Sequence, residues 1–257
     1  MVPIIGVTRE ETWLKAIEHL TNKAKNSLEY NLIMEVGRPN FSNGKSREIR
    51  KQFDNFLLKN SNLYSVNTVA ETIFPATEYK LHGMDGVTEI YPEEIFPKIR
   101  RCPGNARGTY AYRIVRGINA KGEKCNPLGK VIKNLKSQIA KNNGIRCAFE
   151  LSLDQVETIS IHRNDSVTRG FPCLSHLSFK LDQDRKAIHL TALYRSHDYV
   201  QKALGNLLGL ARLQCAVAKE LNIEVGKLVC HSTIARLDQH VGISKRQISN
   251  FLNELGD

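Results

Sequence analysis

The stretch "PCLSHLSFKLDQDRKAIHLTALYRSHD" runs from Pro172 to Asp198. Its apolar residues alternate through CLSHLSFKL and again through AIHLTALYR, and the polar DQDRK between them reads as a turn. A cysteine beside a proline opens the first strand, and an Arg-Ser pair closes the second. A hairpin brings those two ends to one place. The pairing therefore sets a thiol, Cys173, beside a fork of donors suited to an anion, Arg195, with the Ser196 hydroxyl next to it. Directly downstream, Tyr199 to Leu221 predicts a long helix that is apolar nearly all round, and so buried.

Working outward, REETWLKAIEHLTNKAK (9–25) places Trp13, Ile17 and Leu20 on one helical face. YNLIMEV (30–36) reads as a strand and SREIRKQFDNFLLKN (46–60) as a helix. VNTVAETIFPATEY (66–79) reads as a helix stopped near Pro75. TYAYRIVRG (109–117) alternates like a short irregular strand, NPLGKVIKNLKSQIAKN (126–142) is an amphipathic helix, and RCAFELSL (146–153) is a strand. KLVCHSTIARL (227–237) is a further strand, and SKRQISNFLNEL (244–255) is a helix capped by Ser244. The expectation is one mixed α/β (α+β) domain over residues 1–257, its sheet packed by the long buried helix.

The 257 residues are 41% hydrophobic and 25% charged, an ordinary globular balance. No apolar run is long enough to cross a bilayer and no signal-peptide pattern opens the chain, so a cytoplasmic protein is expected. The six cysteines are too far apart in sequence for zinc knuckles, and no metal site is expected. A net charge of +11 suits a polyanion or a phosphorylated small molecule.

The motifs together resemble the thymidylate synthase superfamily. PCLSHLSF, the strand ending YRSHD, a Gly-Asn eight residues beyond Asp198, the buried helix and EVGKLV follow the order of that family's motifs. The likeness extends over about residues 10–240, with 241–257 as a C-terminal helix. It implies a pyrimidine nucleoside monophosphate as substrate, with Cys173 adding to C6 of the ring so that C5 can attack a one-carbon unit carried by 5,10-methylenetetrahydrofolate. By the same resemblance Arg195, Ser196, Asp198, Asn206 and Tyr110 bind the nucleotide, and Glu71 in VAETIFP stands for the catalytic glutamate. Arg146 would reach the phosphate of a second subunit in a homodimer.

The sequence departs from the family where a His-x-Tyr pair contacts the sugar, at Arg236 and Asp238. The family also continues into a tail that closes over the folate. Counted back from Arg195 without a gap, Ser175-His176 falls on the family's Cys-His pair. A hairpin turn two residues longer puts Cys173 there instead, and an even shift keeps every side chain on its face, so both alignments stay open. Pro172 and Phe179 favour Cys173. Uracil and cytosine bases both remain open. Two other readings stand beside this one. One is a nucleotide-binding relative without chemistry. The other is a helix-turn-helix DNA-binding protein, since TIARLDQHVGISKRQISNFLNEL (233–255) carries Gly242 at a turn and a basic start to its second helix.

Overall fold

The hairpin lies within a mixed sheet, between its central strand and one edge, in the computed structural model, which describes residues 2–60, 63–106, 108–119, 121–141, 147, 149–153, 172–237 and 243–256. The first half of the chain comprises β1 (Val2–Gly6), α1 (Arg9–Asn22), β2 (Leu28–Val36), α2 (Gly44–Asn60), α3 (Val66–Glu71) and α4 (Ala76–Asp85). A π-helix over Gly86–Ile95 follows, then α5 (Phe96–Ile99), α6 (Tyr110–Val115), β3 (Gly117–Ile118), β4 (Lys124–Cys125) and α7 (Pro127–Ala140). The second half holds β5 (Glu150–Ser152), β6 (Leu174–Leu181), β7 (Ala187–Tyr194), β8 (His197–Asp198), α8 (Ala203–Leu221), β9 (Glu224–Arg236) and α9 (Lys245–Gly256).

The main sheet runs β1-β2-β9-β7-β6-β5, and β8 resumes beside β9 where β7 ends. β9 is the organising strand. It pairs antiparallel with β2 and parallel with both β7 and β8. Between Tyr194 and His197 the ladder is interrupted, and Thr233 Oγ1 on β9 donates to the carbonyls of Tyr194 (3.3 Å) and Arg195 (2.7 Å) in its place. Tyr194 and His197, three apart, are both buried, while Arg195 and Ser196 between them are half-exposed.

One face of the sheet is covered by α1 and α8. From Ala203 to Leu221 α8 is buried at almost every position, as its composition predicts. Its first residue lies four beyond the expected start, because Asp198 Oδ1 accepts from the backbone N–H of Val200 (2.9 Å) and Gln201 (3.1 Å) and holds a turn there. Gly205 and Gly209 let α3 pack directly on α8. A Cβ at Gly205 would sit 2.5 Å from Val69 Cβ, and one at Gly209 would sit 2.7 Å from the Ala70 carbonyl oxygen. The opposite sheet face is polar and part-exposed, with Lys227 paired to Glu35 (2.7 Å) and Glu150 joined to both His176 and Lys180.

Two expectations are corrected. TYAYRIVRG is not a strand. Thr109 Oγ1 accepts from Tyr112 N (3.2 Å) and starts α6, and Ala111, Ile114 and Val115 turn inward at helical spacing. Capping and burial outweigh the strand preference of its aromatic residues. The helix-turn-helix reading also fails at its first half, because Thr233–Arg236 belongs to β9. Gly242 lies outside the described residues. The second half is helical as expected, with Ser244 and Gln247 capping each other reciprocally. Its inner face is buried, with Phe251 against Phe56 (4.8 Å between ring centres) and Phe53 (5.5 Å). Among the described residues, no helix is long and apolar enough to cross a membrane.

Candidate active site

A cavity of about 930 Å³ opens where the ends of β6 and β8 meet α3, the π-helix and α6. Its wall includes Glu71, Tyr110, Cys173, Ser196, Asp198 and Asn206, side chains drawn from four separate stretches of sequence. The hairpin accounts for the first meeting. Arg195 N donates to the Cys173 carbonyl (2.9 Å), so the start of β6 and the end of β7 are bonded to each other. A register shift between Leu174 and His176 lets Leu174 and Leu177 both face the core and leaves Cys173 half-buried at the strand's mouth. Ser175 is not on the cavity wall, and the His176 ring points to Glu150 on the polar sheet face (2.7 Å). The geometry thus brings Cys173, and neither residue of the ungapped alternative, to the cavity.

Arg195 takes a different position from the expected one. Its Nε donates to the Pro172 carbonyl (3.1 Å), bracing the segment that carries Cys173, and it is not among the residues of the cavity wall. Among the described residues, the cationic side chains on the wall are Arg113, Lys202 and Arg236. Lys202 lies over the Tyr64 ring (5.4 Å) and is reached by solvent through the cavity mouth. Enclosure by the walls lowers its pKa, while the charges of Asp198 and Cys173 act the other way. Arg146, with the phosphate role across a dimer, and Asp238 lie outside the described residues.

Glu71 ends α3. Its Oε1 meets Arg212 (3.1 Å) and its Oε2 accepts from Ala76 N (3.0 Å). Burial raises its carboxyl above the ordinary range, against the pull of Arg212, so this group holds a proton at higher pH than a free glutamate. Tyr110 accepts from Leu174 N through its hydroxyl (3.4 Å), and burial pushes it up to about 12. Tyr91, from the π-helix, is likewise pushed up to about 12 by burial, and its hydroxyl bonds Thr109 Oγ1 (2.7 Å). Both phenols stay neutral at physiological pH and act as hydrogen-bonding groups only.

Asn206 is 3% exposed and lies on the cavity wall, yet its Oδ1 has no hydrogen-bond partner among the described residues. A buried amide oxygen of this kind is accounted for when a ligand brings the missing donor. Among the wall residues Lys202, Arg113 and Tyr91 carry no motif and were not expected from the sequence. The one available signal is Lys202, a lone cation in the apolar run that leads into α8.

No protein-family model matches the chain. Curated relatives named "Putative thymidylate synthase" match part of it. One from Methanothermobacter thermautotrophicus is 37% identical over 73 residues, 28% of this chain and 32% of that protein. One from Methanococcoides burtonii is 30% identical over 140 residues, 51% of this chain and 60% of that protein. One from Methanosarcina mazei is 33% identical over 76 residues, 30% of this chain and 34% of that protein. The chain therefore spans between about a third and 60% of the length of these relatives, a distant thymidylate synthase-like likeness.

Proposed function

We propose that the cavity binds a pyrimidine nucleoside monophosphate and that Cys173 catalyses one-carbon transfer to C5 of its ring. The observation that carries this reading is the convergence of Cys173, Ser196, Asn206, Tyr110 and Glu71 on one cavity. The partial likeness to proteins named for thymidylate synthase supports it.

The chemistry follows from the groups present. The Cys173 sulfur adds to C6, forming a C–S bond and leaving the electron pair of the 5,6 double bond on C5. That carbon would then bond the one-carbon unit that reduced folate supplies. Loss of the C5 proton would expel the folate nitrogen and leave an exocyclic methylene. Addition of hydride from the folate (for a methyl product) or of water (for a hydroxymethyl product) would let the thiolate leave and the 5,6 double bond re-form. Dividing the substitution in this way replaces one difficult step by easier ones. Asn206 Oδ1 accepts from the ring, Ser196 and the cations of the wall meet the phosphate, and Glu71 holds or moves a proton at the edge of the base.

The volume lies at the upper end of the roughly 300–1,000 Å³ of small-molecule sites, and Tyr64, Ile95 and Ile99 add apolar surface to its lining. That apolar surface fits a flat heterocycle lying beside the nucleotide. Reduced folate, when bound there, supplies the one-carbon unit. In this reading the active species is a homodimer, with Arg146 offered to the neighbour's phosphate.

Release of tritium from a C5-labelled pyrimidine nucleotide tests the proposal, because exchange at C5 requires prior addition at C6. The unaltered chain releases label in the presence of methylenetetrahydrofolate. Cys173→Ser stops release and leaves equilibrium binding of the nucleotide within a few-fold, since a serine hydroxyl without an activating base is a far poorer nucleophile. Binding without release in the unaltered chain would favour a nucleotide-binding relative that lacks the chemistry. Failure to bind any pyrimidine nucleotide would overturn the reading altogether.

A further inference from the structure

Behind Asn206 a chain of polar groups runs into the core. His197 is 1% exposed and lies flat on the Tyr194 ring, with centroids 4.0 Å apart and planes 4° from parallel. Tyr199 closes its other side, 5.2 Å away and near edge-on. The imidazole has no freedom to turn. Its Nε2 lies 2.9 Å from Asn206 Nδ2, and its Nδ1 lies 3.0 Å from Ser232 Oγ.

The donors and acceptors can be assigned from these contacts. An amide Nδ2 only donates, so Nε2 is the bare nitrogen and the ring's single N–H sits at Nδ1, donating to Ser232 Oγ. The Tyr199 hydroxyl, 3.1 Å from the same oxygen, donates to it as well, and the Ser232 hydrogen is left for Cys230 Sγ. The titratable and charged groups around the ring are Tyr194, Tyr199, Cys230 and Asp198. Only Asp198 favours the protonated imidazole, and burial overrides it, pushing His197 down to about 3. The ring is therefore neutral throughout the physiological range, and its contacts with Asn206 Nδ2 and Ser232 Oγ, not its pKa, select which nitrogen carries the hydrogen. Reversing the amide would set Oδ1 against Nε2 and would demand the other tautomer, with Ser232 turned to donate to Nδ1.

We propose that His197 is a positioning residue. By holding one tautomer it keeps the Asn206 amide with Oδ1 toward the cavity, so the site prefers a ring edge that presents an N–H over one that presents a lone pair. The proposal rests on the nucleotide reading above, where the distinction is between a uracil-type ring, with N–H at position 3, and a cytosine-type ring, with a bare nitrogen there. His197 makes this choice without touching the substrate.

Long-range proton–nitrogen NMR on the ¹⁵N-labelled full chain reads the tautomer directly. His197 should show a protonated Nδ1 and a bare Nε2, unchanged between about pH 5 and 8. A proton on Nε2, or a titration in that range, overturns the proposal. His197→Leu should then reduce the preference for uridine-type over cytidine-type monophosphates by about tenfold, the scale of one hydrogen bond. His197→Gln, whose side-chain oxygen can replace Nε2 as the acceptor from Asn206, should restore most of it. Equal losses for the two nucleotides, in variants whose circular dichroism shows them folded, would reduce His197 to a packing role and overturn the assignment. If the leucine variant does not fold, the tautomer in the unaltered chain decides. If the unaltered chain binds neither nucleotide, the functional reading fails, and the NMR result still judges the hold on Asn206.

Discussion

The floor of the cavity and its outer wall are built by opposite means. The floor rests on the end of β7, on β8 and β9 and on the start of α8, where Tyr194, His197, Ser232 and Asn206 are each no more than 3% exposed. Stacked rings and side-chain hydrogen bonds fix them there. The wall runs from Glu71 through the π-helix to Arg113. Its helices are short or irregular, and Glu71, Tyr110 and Arg113 are only half-buried. Short irregular helices with exposed bonds open more readily than a packed sheet. A site with this division holds the polar groups of its floor rigid and leaves its second half freer to adapt.

Acidification should act on the floor most strongly of all. Between the ordinary histidine value of 6.5 and the buried value of about 3, the unfolded chain binds a proton at His197 that the folded chain does not. Stability therefore falls as pH falls through that window, by up to about 1.4 kcal/mol per pH unit, and the term vanishes above it, where both states are neutral. Urea unfolding of the unaltered chain and of His197→Gln, from about pH 7 to about pH 4.5, measures the difference between their slopes and cancels the carboxylates common to both. Parallel slopes would mean that the floor is less closed than its burial indicates.

The joint between the two halves is the next place to press. Gly209→Ala puts a methyl group 2.7 Å from the Ala70 carbonyl oxygen and 2.8 Å from Ile73 Cβ. It should cost about 1–3 kcal/mol, the usual range for overpacking, and it should displace α3 with Glu71 at its end. Thermal and urea unfolding give the magnitude. A neutral outcome would show that the wall moves away from α8 at little cost.

A smaller effect is expected within the wall itself. Thr109→Ala removes both the cap of α6 and the partner of the Tyr91 hydroxyl, for a loss of about 0.5–2 kcal/mol. Hydrogen exchange should quicken at the amides of Tyr110–Val115 and stay unchanged in β9. Acceleration spread evenly over both regions would erase the distinction between them.

The same division governs what can be read from the sequence. The hairpin and α8 are legible because β6, β7 and α8 carry strong periodic or uniform apolar patterns, and the site residues hang on their ends. The motif residues Cys173, Ser196, Asp198 and Asn206 come with them. The wall is not legible in this way. The ten residues of the π-helix span too few turns for its wider i→i+5 repeat to show in the sequence, and the alternation in TYAYRIV imitates a strand until Thr109 is seen capping a helix. The five residues of β1, with Pro3 inside, are too short and too broken for a pattern. His197 is hidden for another reason. Between Ser196 and Asp198 it looks like a spacer, and only the third dimension brings Ser232 and Asn206 to its two nitrogens.

The interruption between β7 and β8 has a consequence for how the length of this chain can vary. Ser196, His197 and Asp198 take their positions from β9, through Thr233 and the pairings His197 to Ala235 and Asp198 to Arg236. One residue added or lost between Tyr194 and Asp198, or in the facing part of β9, would slide β8 by a step and turn His197 out of the core, carrying the support of Asn206 with it. The turn at residues 182–186, at the far end of the same hairpin, carries no cavity residue. It is held by Arg185, whose guanidinium donates to the carbonyls of Gln138 (3.2 Å) and Lys141 (3.0 Å), and a change of length there that keeps the register even leaves the site in place. Variation in length among natural or engineered forms of this protein should therefore gather at one end of the hairpin and stop at the other.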